Sequence, residues 1–275
     1  MNPLVSTEWL AGHLDEVVTA DASWYMPADK RDPRAEFEMG HIPGAVFFDI
    51  DGISDQGNPL PHMLPSAEVF SARLTELGIA TTDMIVVYDG TGIFSAPRAW
   101  WMIKAMGHDN VRVLDGGFPK WKAAGHPIEG GKALPRSGKF SARLDAPQVR
   151  DFAQVKAALG KTQILDARGA PRFEGSVPEP RPGLKAGHMP GASNVPWNSL
   201  LNPDNTMKDD AALKEIFAAR KVDLAAPIIT TCGTGVTAAT IALALAKLGA
   251  RDVALYDGSW TEWGGRDDAP IVTGP

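Results

Sequence analysis

Cysteine occurs once in this 275-residue chain, at position 232. A single thiol excludes an intrachain disulfide, a zinc site built on several thiolates and a cysteine-held iron–sulfur cluster. It fits a reducing compartment, and a cytoplasmic location is expected. Long apolar runs are also missing. The longest helix-like one, Ala238 to Leu248, is too short to cross a bilayer, and the opening MNPLVSTEWLAGHLDE lacks the basic region and apolar core of a signal peptide. Positive charge is in deficit: 27 Lys and Arg against 33 Asp and Glu give a net charge of −6. A field of that sign repels nucleic acid and anionic lipid, so neither is expected as a partner. Any anionic substrate must be met by a few local cations. What the chain does have is a core: 44% apolar with 22% charged residues excludes a disordered or fibrous polymer.

The chain also repeats itself. Gly40-His41-Ile42-Pro43-Gly44-Ala45 returns as Gly187-His188-Met189-Pro190-Gly191-Ala192. Ile85-Val86-Val87-Tyr88-Asp89-Gly90-Thr91-Gly92 returns as Ile228-Ile229-Thr230-Thr231-Cys232-Gly233-Thr234-Gly235. Asp115-Gly116-Gly117-Phe118 with Trp121 returns as Asp257-Gly258-Ser259-Trp260 with Trp263. The order is kept and the offset stays within roughly 142–147 residues, which marks a duplicated domain. The expected boundaries are 1–130 for the first copy, 131–148 for a Gly/Pro/Lys-rich linker and 149–275 for the second copy. In each copy short apolar strands alternate with helical patterns. That grammar predicts an α/β fold, a short parallel sheet flanked by helices on both faces. Ligands in such sheets sit at the carboxyl ends of the strands, where both Gly-rich loops fall.

The second loop carries the thiol. Strand-like Ile228-Ile229-Thr230-Thr231 precedes Cys232-Gly233-Thr234-Gly235-Val236-Thr237, and a strong helix former starts at Ala238. Glycines allow backbone N–H groups to turn inward as an anion cradle, and a helix N-terminus adds partial positive charge. Both features favour a charged sulfur, so the context points to a nucleophile rather than to a small buried apolar residue. A Cys-x5-Arg phosphatase loop is excluded because position 238 is alanine. A nucleotide P-loop is excluded because no lysine occurs in 232–238. No local signature supports a cysteine protease. A thiolate whose loop amides stabilise a second sulfur, as a persulfide, is what remains.

With these motifs the chain resembles the tandem rhodanese-domain sulfurtransferases over nearly its whole length. Within that family it is most similar to the branch that uses 3-mercaptopyruvate. The resemblance implies two rhodanese-like domains, one active cysteine in the second and a degenerate first domain; here Asp89 stands where Cys232 stands in the repeat. Thiosulfate-using members typically carry cations just after the cysteine, and this loop has none. A monoanionic thiol-carboxylate donor is therefore implied, with substrate contacts from Gly233, Gly235, Val236 and Thr237. Also implied are Arg172 and Arg181 as clamps for the donor's carboxylate and carbonyl, and Asp51, Thr234 and Cys232 as a relay with His62 as a proton-handling group, Asp51 and His62 reaching the loop from the first copy. Serine is common in the family where this chain has Thr234, so the geometry of that relay stays open. No metal or organic cofactor is implied. The acceptor is a thiol, such as thioredoxin or glutathione, or cyanide, and a two-domain monomer is the default. A thiosulfate:cyanide sulfurtransferase and a non-catalytic persulfide carrier are the alternatives.

Residue by residue, bland readings compete with these. Chemistry alone leaves Arg172 and Arg181 as either clamps or solvated partners of Glu174 and Glu179. Without the resemblance, Asp51 reads rather as a loop or cap residue and His62 as a satisfied interfacial histidine. His41 and His188 recur in both copies although only one has a thiol, which argues for a role in the fold. Asp166 and Arg168 are expected to pair and brace the sheet edge. Trp260 and Trp263 are expected in the core. Asp49, Asp51 and Asp55 lack the glycine and glutamate spacing of a calcium loop.

Overall fold

The computed structural model describes residues 2–133 and 136–275; Leu134 and Pro135, in the expected linker, lie outside the described residues. The chain forms two compact units. The first gathers Met1–Gln56, Leu64–Asp145 and Asn202–Met207, and the second gathers Gly57–Met63, Ala146–Leu201 and Lys208–Pro275.

In the first unit five strands pair in parallel: β1 Leu4–Val5, β2 Val18–Asp21, β3 Val46–Phe47, β4 Ile85–Tyr88 and β5 Val111–Leu114. The order is β1-β5-β4-β2-β3. In the second unit β6 Val149–Arg150, β7 Gln163–Asp166, β8 Ser193–Asn194, β9 Ile228–Thr231 and β10 Val253–Tyr256 take the same order, β6-β10-β9-β7-β8, again all parallel. The sequence repeat is thus a repeat of topology. Central strands β4 and β9 are buried along their full length, as parallel strands covered on both faces must be. Their β-branched residues suit a pleated, two-sided interior.

Each central strand feeds a helix that returns over the sheet, Ala96–Ala105 in the first unit and Ala238–Lys247 in the second. The second of these is buried from Ala238 through Leu245. Small and aliphatic residues all round the helix allow that, since no face has to meet water. Among the described residues no helix is long and apolar enough to cross a membrane.

The remaining landmarks serve the fold in both units. His41 stacks on Phe37 with ring centroids 3.9 Å apart, and its Nδ1 lies 2.7 Å from the Phe37 carbonyl. His188 repeats this on Phe173, at 3.8 Å and 2.9 Å. Trp121 donates its indole N–H to the Pro127 carbonyl at 2.7 Å, and Trp263 donates to Pro270 at 3.0 Å. Trp260 and Trp263 are both in the core of the second unit, as their residue type suggests. Residues 136–145 lie along the first unit. There Phe140 is buried, its N–H bonds Thr75 Oγ1, and the Arg143 and Asp145 N–H groups bond Met106 and Ala105 carbonyls.

Candidate active site

β9 lies at the centre of its sheet and ends at Thr231, so the chain leaves the sheet's carboxyl edge at Cys232. The thiol is free and the residue is only 2% exposed. Gly235 turns the loop with φ +80°, a conformation that suits glycine, and Thr237 leads into the helix Ala238–Lys247. Val236 and Thr234 are buried. The loop is stapled from the helix Ser259–Trp263: Trp260 N–H donates to the Cys232 carbonyl at 2.9 Å. Gly233's carbonyl accepts from Thr261 twice, from N–H at 2.9 Å and from the hydroxyl at 2.8 Å. Cys232 N–H itself donates to Ser259 Oγ at 3.3 Å.

What such a loop can hold is visible in the first unit, where Asp89 occupies the equivalent position. Asp89 Oδ1 accepts from the N–H groups of Thr91 and Gly92, both at 2.8 Å. Oδ2 accepts from Phe94 and Ser95 at 2.9 Å and from Ala96 at 2.8 Å. Five inward amides thus converge on one buried anionic side chain. Residues 232–239 read Cys-Gly-Thr-Gly-Val-Thr-Ala-Ala against Asp-Gly-Thr-Gly-Ile-Phe-Ser-Ala at 89–96, with no gap. The aligned loop after β9 keeps both glycines, but its Ala239 N–H, the counterpart of Ala96, donates to the Val236 carbonyl at 3.2 Å. The first unit also has a cavity of about 390 Å³ at the carboxyl ends of β2 and β4, lined by Asp21, Ser23, Tyr25 and Glu36 among others. Burial pushes the Asp21 carboxyl up to about 7, against the hydrogen bonds that Ser23 gives it. No thiol is available there, since the chain's one cysteine is in the second unit.

Arg172 sits on the short helix Ala170–Glu174 and reaches the cysteine loop: a Cβ placed on Gly233 would stand 3.1 Å from Arg172 Nη2. Glu179 holds the guanidinium from the other side, accepting from Nε at 3.2 Å and from Nη2 at 2.5 Å. Glu179 is in turn held by Arg168, whose Nη1 donates to Oε1 at 2.9 Å. The expected pairing of Asp166 with Arg168 is present, through Nε at 3.0 Å and Nη2 at 2.7 Å to Oδ2. Arg168 also donates to the Gly187 carbonyl and lies 4.0 Å over the Trp260 ring. Burial alone would lower its pKa; the charges and hydrogen bonds of Asp166 and Glu179 outweigh that and hold it above its usual value.

The side chains of Asp166, Arg168 and Glu179 are 1% exposed or less, whereas that of Arg172 is 28% exposed. The quartet is formally neutral, fully satisfied inside, and presents a single guanidinium outward. Arg172 is therefore neither a solvated surface residue nor a mobile one, because its anchor is buried. Glu179→Gln preserves shape but removes the charge between the two arginines. It is expected to lower unfolding free energy by about 1.5–3 kcal/mol, the usual worth of hydrogen bonds to charged groups. A urea titration against the parent chain reads this directly.

The other candidates are placed as follows. Arg181 is half-buried on the same segment, two residues beyond Glu179. His62 is buried, has φ +62° and belongs to a segment grouped with the second unit. Asp51 belongs to the first unit, on the short helix Ile50–Ile53, where its Oδ2 accepts from Trp24 Nε1 at 3.0 Å. Ser259 is an addition that sequence reasoning did not single out, and Glu179, named there only as a partner for a solvated arginine, proves to be the buried anchor of Arg172. Glu179 gave no signal beyond its neighbourhood. Ser259 did: it stands where the other copy has Gly117.

Comparison with known proteins identifies the family. The rhodanese-like domain family matches twice, over residues 6–124 and 151–266. The 3-mercaptopyruvate sulfurtransferase of Escherichia coli strain K12 is 44% identical over 272 residues, covering 97% of this chain and 96% of that one. The human 3-mercaptopyruvate sulfurtransferase is 42% identical over 270 residues, covering 94% and 91%. The chicken protein named thiosulfate sulfurtransferase is 43% identical over 270 residues, covering 94% and 92%. Among solved structures, that of SseA from Escherichia coli superposes with a TM-score of 0.86 at 42% identity, covering 94% of this chain and 99% of that one.

Proposed function

From the premise that this chain belongs to the rhodanese-like family, as a tandem of two such domains, we propose that it is a 3-mercaptopyruvate sulfurtransferase. The observation that carries the reading is the loop after β9. It carries the chain's one thiol at the position where its twin in the first unit holds Asp89 on five amides, and the Arg172 guanidinium lies beside Gly233. The relatives that bear this enzyme's name over nearly their full length support it.

In the proposed reaction the Cys232 thiolate attacks the sulfur of 3-mercaptopyruvate. A sulfur–sulfur bond forms as the donor's carbon–sulfur bond breaks, and the pair of electrons leaves with pyruvate as its enolate. Arg172 binds the carboxylate as a planar fork already aimed by Glu179, and Arg181 binds the carbonyl end. The enolate is protonated through the Thr234–Asp51 relay with His62 as a proton-handling group, roles that rest on the family resemblance. The outer sulfur of the persulfide rests on the amides of residues 233–237, including those of Gly233, Gly235, Val236 and Thr237. A thiol such as thioredoxin or glutathione, or cyanide, then attacks that outer sulfur and returns the thiolate. No cofactor takes part. We further propose a monomer working in the cytoplasm, in line with the single thiol.

Residues 233–237 contain no lysine or arginine, which disfavours a dianionic donor. The name of the chicken relative keeps thiosulfate as the second reading. Intact mass after incubation with 3-mercaptopyruvate is expected to rise by one sulfur atom and to fall back on treatment with a mild thiol. Turnover with that donor should exceed turnover with thiosulfate. A preference for thiosulfate would replace the donor assignment, and a single stoichiometric loading without turnover would make the protein a carrier.

A further inference from the structure

The two copies differ at one turn. After the strand and its Asp-Gly, the first copy passes Gly117 through φ +57°, and the second passes Ser259 through φ +48°. Left-handed backbone is free for glycine and costly for a residue with a Cβ. The copy with the thiol therefore carries a strained serine where the copy without it carries an unstrained glycine. Strain of this kind persists where the side chain does something that glycine cannot.

The Ser259 hydroxyl is fully buried and fully used. It donates to the Tyr256 carbonyl at 2.8 Å and accepts from Cys232 N–H at 3.3 Å and from the Thr231 hydroxyl at 3.4 Å. One donated and two accepted bonds exhaust a hydroxyl's capacity. The neighbouring bond is common to both copies: Trp260 N–H to the Cys232 carbonyl at 2.9 Å is matched by Phe118 N–H to the Asp89 carbonyl at 3.0 Å. Both loops thus have their carbonyl held, and the loop with sulfur also has its amide held by a side chain.

The difference has a physical reason. Asp89 is located by its own two oxygens, which accept five N–H bonds and fix the side chain in the cradle. Sulfur is a weak, long-reaching acceptor and cannot locate itself that way. Its aim must come from the backbone that carries it.

We infer that Ser259 is a positioning residue for sulfur transfer: its hydroxyl fixes the peptide entering Cys232 and so directs Sγ toward the loop amides. This rests on the reading of Cys232 as the nucleophile.

The test compares Ser259→Gly and Ser259→Ala in the full chain, measuring kcat and KM for 3-mercaptopyruvate, the rate of Cys232 alkylation by iodoacetamide across pH, and Tm. Glycine at the equivalent turn of the first copy shows that this backbone accommodates it. Both variants lose the hydroxyl, but only Ser259→Gly relieves the strain, so Ser259→Gly should have the higher Tm of the two. The expected result is a fall in kcat of about ten- to a hundredfold in both, the scale of a small misplacement of a reacting group. KM should hold within about twofold, because the arginine contacts are untouched. A shifted alkylation profile is expected in both. Parental kcat in either variant, or kcat that merely follows Tm, overturns the inference. A dead Cys232→Ser chain beside a fully active Ser259→Gly chain removes this inference alone, whereas an active Cys232→Ser chain removes the nucleophile reading with it.

Discussion

Cys232→Ser is expected to lower sulfur transfer by at least about a thousandfold while the chain stays folded. Serine oxygen is a poor nucleophile unless a base takes its proton, and it cannot carry a sulfane sulfur through the cycle that a thiolate can. The substitution shrinks a residue that is only 2% exposed by little, so the stability cost is expected to be below about 1.5 kcal/mol. Donor consumption, pyruvate release and a thermal melt on the same preparation check all three statements. Pyruvate release at the parental rate from a folded Cys232→Ser chain would contradict the assigned chemistry outright.

The second large effect falls on the copy without a thiol. Asp89→Ala is expected to lower unfolding free energy by about 3–5 kcal/mol, the range for removing one side of a buried, charge-assisted network. Five N–H groups lose their acceptor at once, in a position with no exposure of its own. Water entering the space left by the carboxylate would recover part of that loss, which is why the figure is well below five separate bonds. Asp89→Asn falls between, because it keeps one accepting oxygen but turns an NH2 group toward amide donors. Urea titrations of the three chains should rank them in that order. Equal stability of parent and Asp89→Ala would mean that the loop is not an anion cradle, and the argument for Cys232 from its twin loop would go with it.

The duplication was legible because it lies in motifs, and motifs fix topology: two sheets of identical order follow from two identical grammars. Strands β5, β7 and β10 and the helices Ala67–Glu76 and Asp210–Ala218 follow the alternation of short apolar strands and helical patterns read in each copy. The edge strands Leu4–Val5 and Val149–Arg150 were not legible, since two residues carry no periodicity. Nor was the helix Ala170–Glu174, a single turn in a proline-rich stretch. At the site, Cys232 and the pair Asp166–Arg168 could be read from local context. Arg172 could not be decided, because its role turns on the burial of Glu179, and that burial is set by Arg168 folding inward under Trp260. Charge spacing along a loop does not reveal which carboxylate goes inside.

One consequence follows from the buried, solitary thiol of the second unit. If hydrogen peroxide converts it to a sulfenic acid, no neighbouring cysteine of the same polypeptide can condense with it and shield it from further oxidation. Recovery then depends on a reductant arriving from solution. Protection against peroxide thus falls to whatever limits access to that one atom, and inactivation is all-or-none for each molecule.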